Sequence, residues 1–253
     1  MKFIRLTLVC VALSLLPSAT TSASPQATSD SDSSAQPTKT SEIIEPLAIR
    51  LINPAYDKNV KKQRMRGRIV LSVTIANDGT VKAASVVNGD PLVVDAALEA
   101  VRRWRYLPAM RDGEFIETTQ EVTIDYDFGK RASPPDDQEP GSLSEPPKYL
   151  LQDIADGKLF RVGPGVTSLR ALSAPDPQYT EEARRDKFRG KVLLCVVVGA
   201  DGKPRDVWVA RPLGHGLDSS AVETVKTWEF SPALKDGVPV AAVVGIEASF
   251  DIY

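Results

Sequence analysis

An internal duplication constrains the fold of this chain more than any other feature of the sequence. Residues 95–109 read DAALEAVRRWRYLPA, and residues 219–233 read SSAVETVKTWEFSPA. Identity this dense in so short a stretch is better explained by duplication than by chance, so the sequence predicts two related units. The identical pairs are Ala97/Ala221, Glu99/Glu223, Val101/Val225, Trp104/Trp228, Pro108/Pro232 and Ala109/Ala233.

Each copy of this stretch predicts an amphipathic helix. In the first copy Ala97, Val101 and Trp104 follow the spacing i, i+4, i+7 and therefore share one face. We expect the helix to dock through its Trp, since a Trp at helical spacing with Ala and Val is usually a core residue. Pro108, four residues after the Trp, predicts the end of the helix. The predicted N-caps are Asp90 and Asp218.

Alternating apolar residues predict a strand before each long helix. Residues 68–77 and 191–200 have the period of two of a half-buried strand, and each is followed by an Asp-Gly turn. A short exposed helix is predicted before each strand, ending at Gly67 in the first copy and at Gly190 in the second. The predicted inward residues are Ile69, Leu71, Val73 and Ile75, and Val192, Leu194, Val196 and Val198.

The Asp-Gly turn predicts a hairpin whose second strand precedes the long helix, and a third, alternating strand follows that helix. Each unit is therefore predicted as helix, strand, strand, helix, strand. The predicted inward residues of these last strands are Val122, Ile124, Tyr126 and Phe128, and Ile246, Ala248, Phe250 and Ile252.

The remaining segments predict the boundaries of the two units. Lys2 and Arg5 precede an apolar run of 12 residues and then small residues, which predicts a signal peptide cleaved near Ala23. An anchor is the alternative, but a bilayer needs about 20 apolar residues. The predicted divisions are a signal peptide at 1–23, a disordered leader at 24–42, domain 1 at 43–128, a Pro-rich linker at 129–147, a connecting segment at 148–171 and domain 2 at 172–253.

In the second copy, the outer face of the strand at residues 191–200 is unusually apolar. Leu193, Cys195 and Val197 stand where the first copy has Val70, Ser72 and Thr74. Leaving such a face in water costs about 25 cal/mol per Å² of apolar area. We therefore expect residues 148–174, or a second copy of this chain by self-association, to cover it.

The sequence contains no recognisable catalytic or cofactor motif. It has one His and two Cys, and no glycine-rich loop follows a strand, so we predict a non-enzyme without cofactor or metal. His215, in a Gly-His-Gly loop, is interpreted as a solvated residue that lacks companion ligands. The net charge of −2 gives no overall attraction to nucleic acid or to an anionic membrane, and the basic run at residues 58–68 is interpreted as a solvated helix face.

Several of these motifs occur in the same order in both copies. They are Pro-x-Tyr at residues 54–56 and 177–179, a Gly before an apolar strand, the Asp-Gly turn, the Trp helix with Pro-Ala after it, and a final alternating strand. Together they resemble the TonB C-terminal domain family over residues 47–128 and 172–253. The resemblance implies an α+β fold of two tandem TonB C-terminal-like domains, each a three-stranded antiparallel sheet with two helices on one face.

The resemblance also implies a function. Family members reach from an inner-membrane anchor to outer-membrane receptors, whose short peptide adds a strand to the exposed edge of the domain. This implies a periplasmic protein that binds a protein or peptide, with an outer-membrane receptor as the candidate partner and membrane contact only through that partner. The alternative is an energy transducer of TonB-dependent transport with an uncleaved N-terminal anchor. The chain differs from the family pattern in carrying the domain twice and in having Asp57 and Thr180 after the Tyr.

The last strand of each unit is the predicted docking edge, because its outer backbone groups can pair with an extended peptide. The second copy is the better docking candidate, since outward carboxylates protect the edge of the first copy against pairing. The candidate partner-binding residues are Tyr56, Glu121, Thr123 and Asp125 in the first copy, and Tyr179, Val243, Gly245, Glu247 and Ser249 in the second.

Overall fold

The structure, a computed structural model, describes residues 42–129 and 145–251. The predicted signal peptide, nearly all of the predicted leader and most of the predicted linker lie outside the described residues. We call residues 42–129 unit 1, residues 145–171 the connecting segment and residues 172–251 unit 2. None of the helices in these ranges is long and apolar enough to cross a membrane.

Unit 1 is built on the sheet β4-β3-β8, with β3 in the middle and both pairings antiparallel. Two small separate sheets, β2-β5 and β1-β6-β7, accompany it. The elements are β1 (Ile43–Ile44), β2 (Leu47–Arg50), α1 (Lys58–Lys62), β3 (Arg66–Ile75), β4 (Val81–Asn88), α2 (Pro91–Arg102), β5 (Arg105–Leu107), β6 (Ala109–Arg111), β7 (Glu114–Ile116) and β8 (Thr118–Asp127).

Unit 2 repeats this sheet as β12-β11-β16, and β9 of the connecting segment joins β16 in parallel on its other side. The α+β fold and the predicted order of helix, strand, strand, helix, strand are confirmed in both units. The elements are α3 (Leu150–Ala155), β9 (Phe160–Arg161), β10 (Arg170–Ser173), α4 (Glu181–Arg185), β11 (Gly190–Val198), β12 (Pro204–Arg211), α5 (Leu217–Val225), β13 (Glu229–Ser231), β14 (Ala233–Lys235), β15 (Val238–Val240) and β16 (Ala242–Phe250).

Each unit has its own core between the sheet and its helices. In unit 1 the inward residues of β3 pack against α2, with Val60 of α1 at the margin. The predicted inward residues of β3 and β11 are all fully buried, as are Ile246 and Ala248 of β16. The alternation in the sequence therefore predicted the core faces correctly, while Ile252 lies outside the described residues.

The short helices end earlier than predicted. Helix α1 ends at Lys62 rather than at Gly67, and α4 ends at Arg185 rather than at Gly190. Arg64 and Lys187, two residues past each helix, have a φ of 51°, and this left-handed conformation stops the helix.

The two glycines instead open the first core strands. A Cβ at Gly67 would lie 2.6 Å from Tyr126 Oη, and one at Gly190 would overlap Leu213 Cδ1. These positions therefore need glycine because side chains from neighbouring elements approach their backbone closely.

The long helices also end before the position that the sequence predicted. Helix α2 ends at Arg102 and α5 at Val225, so Trp104 and Trp228 follow the helices, and a strand precedes each Pro-Ala pair. Both Trp residues are core residues as expected, at 7% and 1% exposure. Their Nε1 atoms donate to the carbonyls of Ile52 at 2.9 Å and Pro175 at 3.0 Å.

One predicted helix cap is confirmed and the other is wrong. Asp90 caps α2, where its carboxylate accepts from Leu92 N at 2.9 Å. Gly216, with φ of 71°, is the N-cap of α5, and Asp218 lies in the first turn. There Asp218 accepts from Leu213 N and Gly214 N, because the loop before α5 folds back over the helix start.

The apolar second face of the unit 2 sheet is covered, as predicted. Cys195 and Val197 are 0% and 5% exposed. The connecting segment forms part of the cover with Leu150, Ile154 and Leu159. Unit 1 forms the rest, and we call this shared cluster the inter-unit core; its unit 1 members include Ile49, Leu107 and Met110. A second copy of the chain, the alternative cover, is not needed for these residues.

Hydrogen bonds cross between the units beside the inter-unit core. Trp208 Nε1 donates to Ile49 O at 2.9 Å, and Leu51 N donates to Ala210 O at 2.5 Å. The buried Arg161 lies in β9 of the connecting segment, which pairs with β16 of unit 2. It donates through Nη1 to Pro108 O at 2.5 Å and through Nη2 to Glu45 O, both in unit 1. The two units are therefore joined by both apolar burial and polar contacts.

Candidate functional site

The outer edge of β8 lies at one side of the unit 1 sheet, and no described strand pairs with it. Phe128 N donates to Met65 O at 2.8 Å, and the β3–β8 register runs without a shift. Backbone groups of an antiparallel strand alternate between its two sides. The N–H and C=O groups of Glu121, Thr123 and Asp125 therefore point away from β3, so these three predicted residues form one open edge.

Side chains beside this edge are polar and exposed. Asp125 pairs with Arg68 Nε at 3.1 Å, and both side chains are more than half exposed, so the pair contributes about 0–1 kcal/mol. A shallow pocket lies where β8 passes β3 near its end. It is lined by Arg66, Gly67, Arg68, Asp125, Tyr126 and Asp127. The edge is thus bordered by charges of both signs.

Tyr56, also predicted as a binding residue, lies behind the edge rather than on it. Its ring packs against Phe128 at a centroid distance of 5.0 Å and against Tyr126 at 6.4 Å. Burial, with a contribution from Tyr126, raises the pKa of Tyr56 to about 12. Its hydroxyl is buried and has no hydrogen-bond partner among the described residues. Tyr56 therefore supports the aromatic packing at the end of β8.

The corresponding edge of β16 is partly occupied. Strand β9 runs beside its first residues, with Phe160 opposite Ala242 and Arg161 opposite Val243. Phe160 N donates to Ala241 O at 2.9 Å. Val243 is only 2% exposed and belongs to the inter-unit core, so our expectation of an unguarded edge there was wrong for its first residues.

The other candidate residues of unit 2 lie further along β16. A Cβ at Gly245 would lie 3.3 Å from Leu47 Cδ1, so β2 of unit 1 approaches this strand closely. Glu247 pairs with Lys191 Nζ at 2.6 Å, and Ser249 is exposed. Only the second half of this strand remains without a described neighbour at its outer side.

Tyr179 occupies the position in unit 2 that Tyr56 occupies in unit 1. It packs edge-on against Phe250 at a centroid distance of 5.6 Å. Its hydroxyl, unlike that of Tyr56, donates to Phe188 O. Burial, and after it the nearby carboxylate of Asp251, raises the pKa of Tyr179.

Two features of this region escaped the sequence analysis. The strand β9 is two residues long, and its signal was a short apolar run, LFRV, inside the connecting segment. His215 is not solvated, because its side chain is 15% exposed and its ring lies 4.0 Å from that of Phe188. It also has the companions that we expected it to lack, since Glu182 and Asp186 lie beside its Nδ1.

The chain matches known proteins over both units. The family described as Gram-negative bacterial TonB protein C-terminal matches residues 52–128 and 175–252, and the chain belongs to this family. It is 29% identical to Protein TonB of Vibrio cholerae serotype O1 over 114 residues, which is 45% of each chain. It is 43% identical to Protein tonB2 of Pseudomonas aeruginosa over 63 residues, which is 24% of this chain and 23% of that protein.

A solved structure is also similar to part of the chain. The solution NMR structure of the Pseudomonas aeruginosa TonB CTD aligns with a TM-score of 0.30 and 20% identity, covering 35% of this chain and 91% of that one. The matched stretches span less than half the length of the two curated relatives.

Proposed function

We propose that this chain is a non-enzymatic periplasmic protein that binds an extended segment of a protein partner by strand addition to β8. The partner would act in outer-membrane transport or another envelope function, and an outer-membrane receptor is the leading candidate. The observation that supports this most is the open outer edge of β8 at Glu121, Thr123 and Asp125. An unpaired row of N–H and C=O groups is a template for an added strand.

Unit 1 is a better candidate than unit 2 for binding the partner. Strand β9 already pairs with the start of β16, whereas β8 has no described strand outside it. Each backbone hydrogen bond to a peptide adds about 1 kcal/mol net. A partner would bind more tightly if its side chains also met the exposed carboxylates of Glu121 and Asp125, so we expect a preference for Lys or Arg at alternate positions.

An energy transducer with an uncleaved N-terminal anchor is the second candidate function. Family membership and the similarity to Protein TonB of Vibrio cholerae favour it. The two candidates differ in the fate of residues 1–23. Mass spectrometry of the chain recovered from the envelope separates them: cleavage near Ala23 supports the binding module, and an intact Met1 in the membrane fraction supports the transducer.

Peptide selection followed by a proline substitution tests the edge. Peptides of about ten residues are selected by display against the purified chain, and the affinity of the best is measured by calorimetry. Thr123→Pro removes an outward N–H without touching the pairing with β3, so we expect affinity to fall at least about tenfold.

Thr123→Ala is the matched control, because it keeps the N–H and should change affinity less than about twofold. Glu247→Pro is the equivalent change on β16 and should leave affinity unchanged. The proposal is wrong if folded Thr123→Pro binds the peptide as well as the unaltered chain does, or if Glu247→Pro abolishes binding instead.

A further inference from the structure

Three side chains of metal-ligating type meet in unit 2, away from both strand edges. Glu182 and Asp186 are four residues apart, so they share one face at the end of α4. His215 reaches them from the loop before α5. One oxygen of each carboxylate and Nδ1 of the imidazole all lie within 4.8 Å of one another.

The imidazole is held in place by its surroundings. Its ring packs against that of Phe188 at a centroid distance of 4.0 Å and an angle of 37°, and its backbone carbonyl accepts from Thr180 Oγ1 at 2.6 Å. Thr180 also accepts from Ala183 N and so caps α4. The helix that bears both carboxylates is therefore tied directly to the backbone of His215, which fixes the cluster in advance of any ligand.

The imidazole faces both carboxylates through Nδ1, while Arg185 Nε lies 3.5 Å from the other oxygen of Asp186, Oδ1. His215 Nδ1 is buried from solvent and makes no hydrogen bond within the described residues. It lies 3.5 Å from Glu182 Oε1 and 3.6 Å from Asp186 Oδ2. Both distances are longer than the ~2.7–2.9 Å of a charge-assisted hydrogen bond.

The two distances from Nδ1 match those in a tetrahedral metal site, where bonds of about 2.0–2.2 Å hold neighbouring ligand atoms roughly 3.3–3.6 Å apart. The two carboxylate oxygens lie within 4.8 Å of each other. Imidazole with carboxylates suits Zn²⁺ and similar ions, whereas Mg²⁺ and Ca²⁺ prefer ligand sets made of oxygen. We propose that Glu182, Asp186 and His215 bind one divalent transition-metal ion, with Zn²⁺ the best fit.

Unit 1 does not repeat this arrangement. The residues equivalent to Glu182 and Asp186 are Asn59 and Gln63, and His215 is the only His of the chain. The site goes beyond the proposed partner binding, since none of its ligands lies on β8 or β16. A bound ion would clamp α4 to the loop before α5 and stabilise this end of unit 2 by mass action.

Titration with ZnCl₂ tests the site. The chain is purified without a polyhistidine tag, stripped with a chelator, and followed by calorimetry and by ¹⁵N NMR of the imidazole. Because the chain has one His, its ring signals need no further assignment. We expect one ion per chain and a shift of the Nδ1 signal that is complete near one equivalent.

Substitution of each ligand sharpens the test. His215→Asn, Glu182→Gln and Asp186→Asn should each weaken Zn²⁺ binding at least about tenfold. Glu181→Gln removes a neighbouring carboxylate outside the cluster and should change affinity less than about twofold. The melting temperature without metal shows that each variant is folded.

Two results would overturn the site. The first is an Nδ1 signal that moves with pH but not with ZnCl₂, which would make the cluster an ion pair with protonated His215. The second is Zn²⁺ binding of unchanged affinity in folded His215→Asn. Equally tight binding of MgCl₂ would refute the assignment to a transition metal.

Discussion

The two units share one fold and differ in what covers the second face of the sheet. In unit 1 that face is formed by half-buried Val70, Ser72 and Thr74, and the neighbouring residues of β8 are exposed. In unit 2 the equivalent face lies under α3 and β2 and is mostly buried. Unit 2 is thus buried on its second face and paired with β9 at its edge, whereas unit 1 keeps a half-buried face and an edge without a described neighbour.

Strand β2 contacts both units. It pairs with β5 inside unit 1, while Cys195 Sγ of unit 2 donates to its Ala48 carbonyl at 3.3 Å. Because β2 contributes to both units, losing it would disturb the small β2-β5 sheet of unit 1 and the cover of unit 2. We therefore expect the two units to unfold together, although each has its own core.

The largest effect should come from opening the inter-unit core. Trp208 is 2% exposed there, and its unit 1 equivalent is exposed Ser85. Trp208→Ala should lower the free energy of unfolding by about 3–5 kcal/mol, since it leaves a cavity and an unpaired Ile49 carbonyl. Ser85→Ala should change it by less than about 0.5 kcal/mol. Chemical denaturation measures both, and similar losses would refute the contrast between the faces.

The next effect concerns the polar link between the units. Arg161→Ala removes the donors to Pro108 O and Glu45 O, and we expect a loss of about 1.5–3 kcal/mol in the free energy of unfolding. Arg205→Ala removes an exposed pair with Asp201 and should cost under about 1 kcal/mol. Separate unfolding transitions in Arg161→Ala, seen by calorimetry, would show that this link couples the units. A single unshifted transition would contradict its role.

The smallest change in the free energy of unfolding is expected at the two equivalent tyrosines. Tyr179→Phe removes a hydrogen bond to Phe188 O and should cost about 1 kcal/mol at pH 7. Tyr56→Phe removes a buried hydroxyl without a partner and should cost almost nothing. Denaturation of the two variants side by side tests this difference, and an equal cost would mean that the hydroxyls have equivalent surroundings.

Tyr56 also predicts a pH dependence. Its pKa is about 12 in the folded chain and about 10 when unfolded, so its ionisation leaves the free energy of unfolding unchanged below about pH 10. As the pH rises from about 10 to about 12, Tyr56 ionises more readily in the unfolded chain, and the free energy of unfolding declines. Tyr56→Phe should therefore lose less stability over this range than the unaltered chain does.

Local periodicity explains how much of the fold the sequence could predict. Ile69, Leu71, Val73 and Ile75 alternate because one strand face is buried, so sequence spacing reports their burial directly. The ends of the helices were less predictable. Arg64 adopts a left-handed conformation that its residue type does not favour, and the close approach of Tyr126 to Gly67 is a tertiary contact.

The candidate site was predictable only in part, for a similar reason. Alternation along β8 placed Glu121, Thr123 and Asp125 on one edge, whereas a strand as short as β9 shows no period that could reveal its pairing with β16. The cluster around His215 depends on a loop that returns to α4. The sequence shows the four-residue spacing of Glu182 and Asp186, but not the approach of His215 to them.

Amide hydrogen exchange with the selected peptide tests the central claim most directly. The outward amides of Glu121, Thr123 and Asp125 have no described partner strand, so they should exchange quickly in the free chain and slow at least about tenfold when the peptide is bound. The amides of β16 should stay unchanged. Protection that appears on residues 245–249 of β16 and not on β8 would contradict the account.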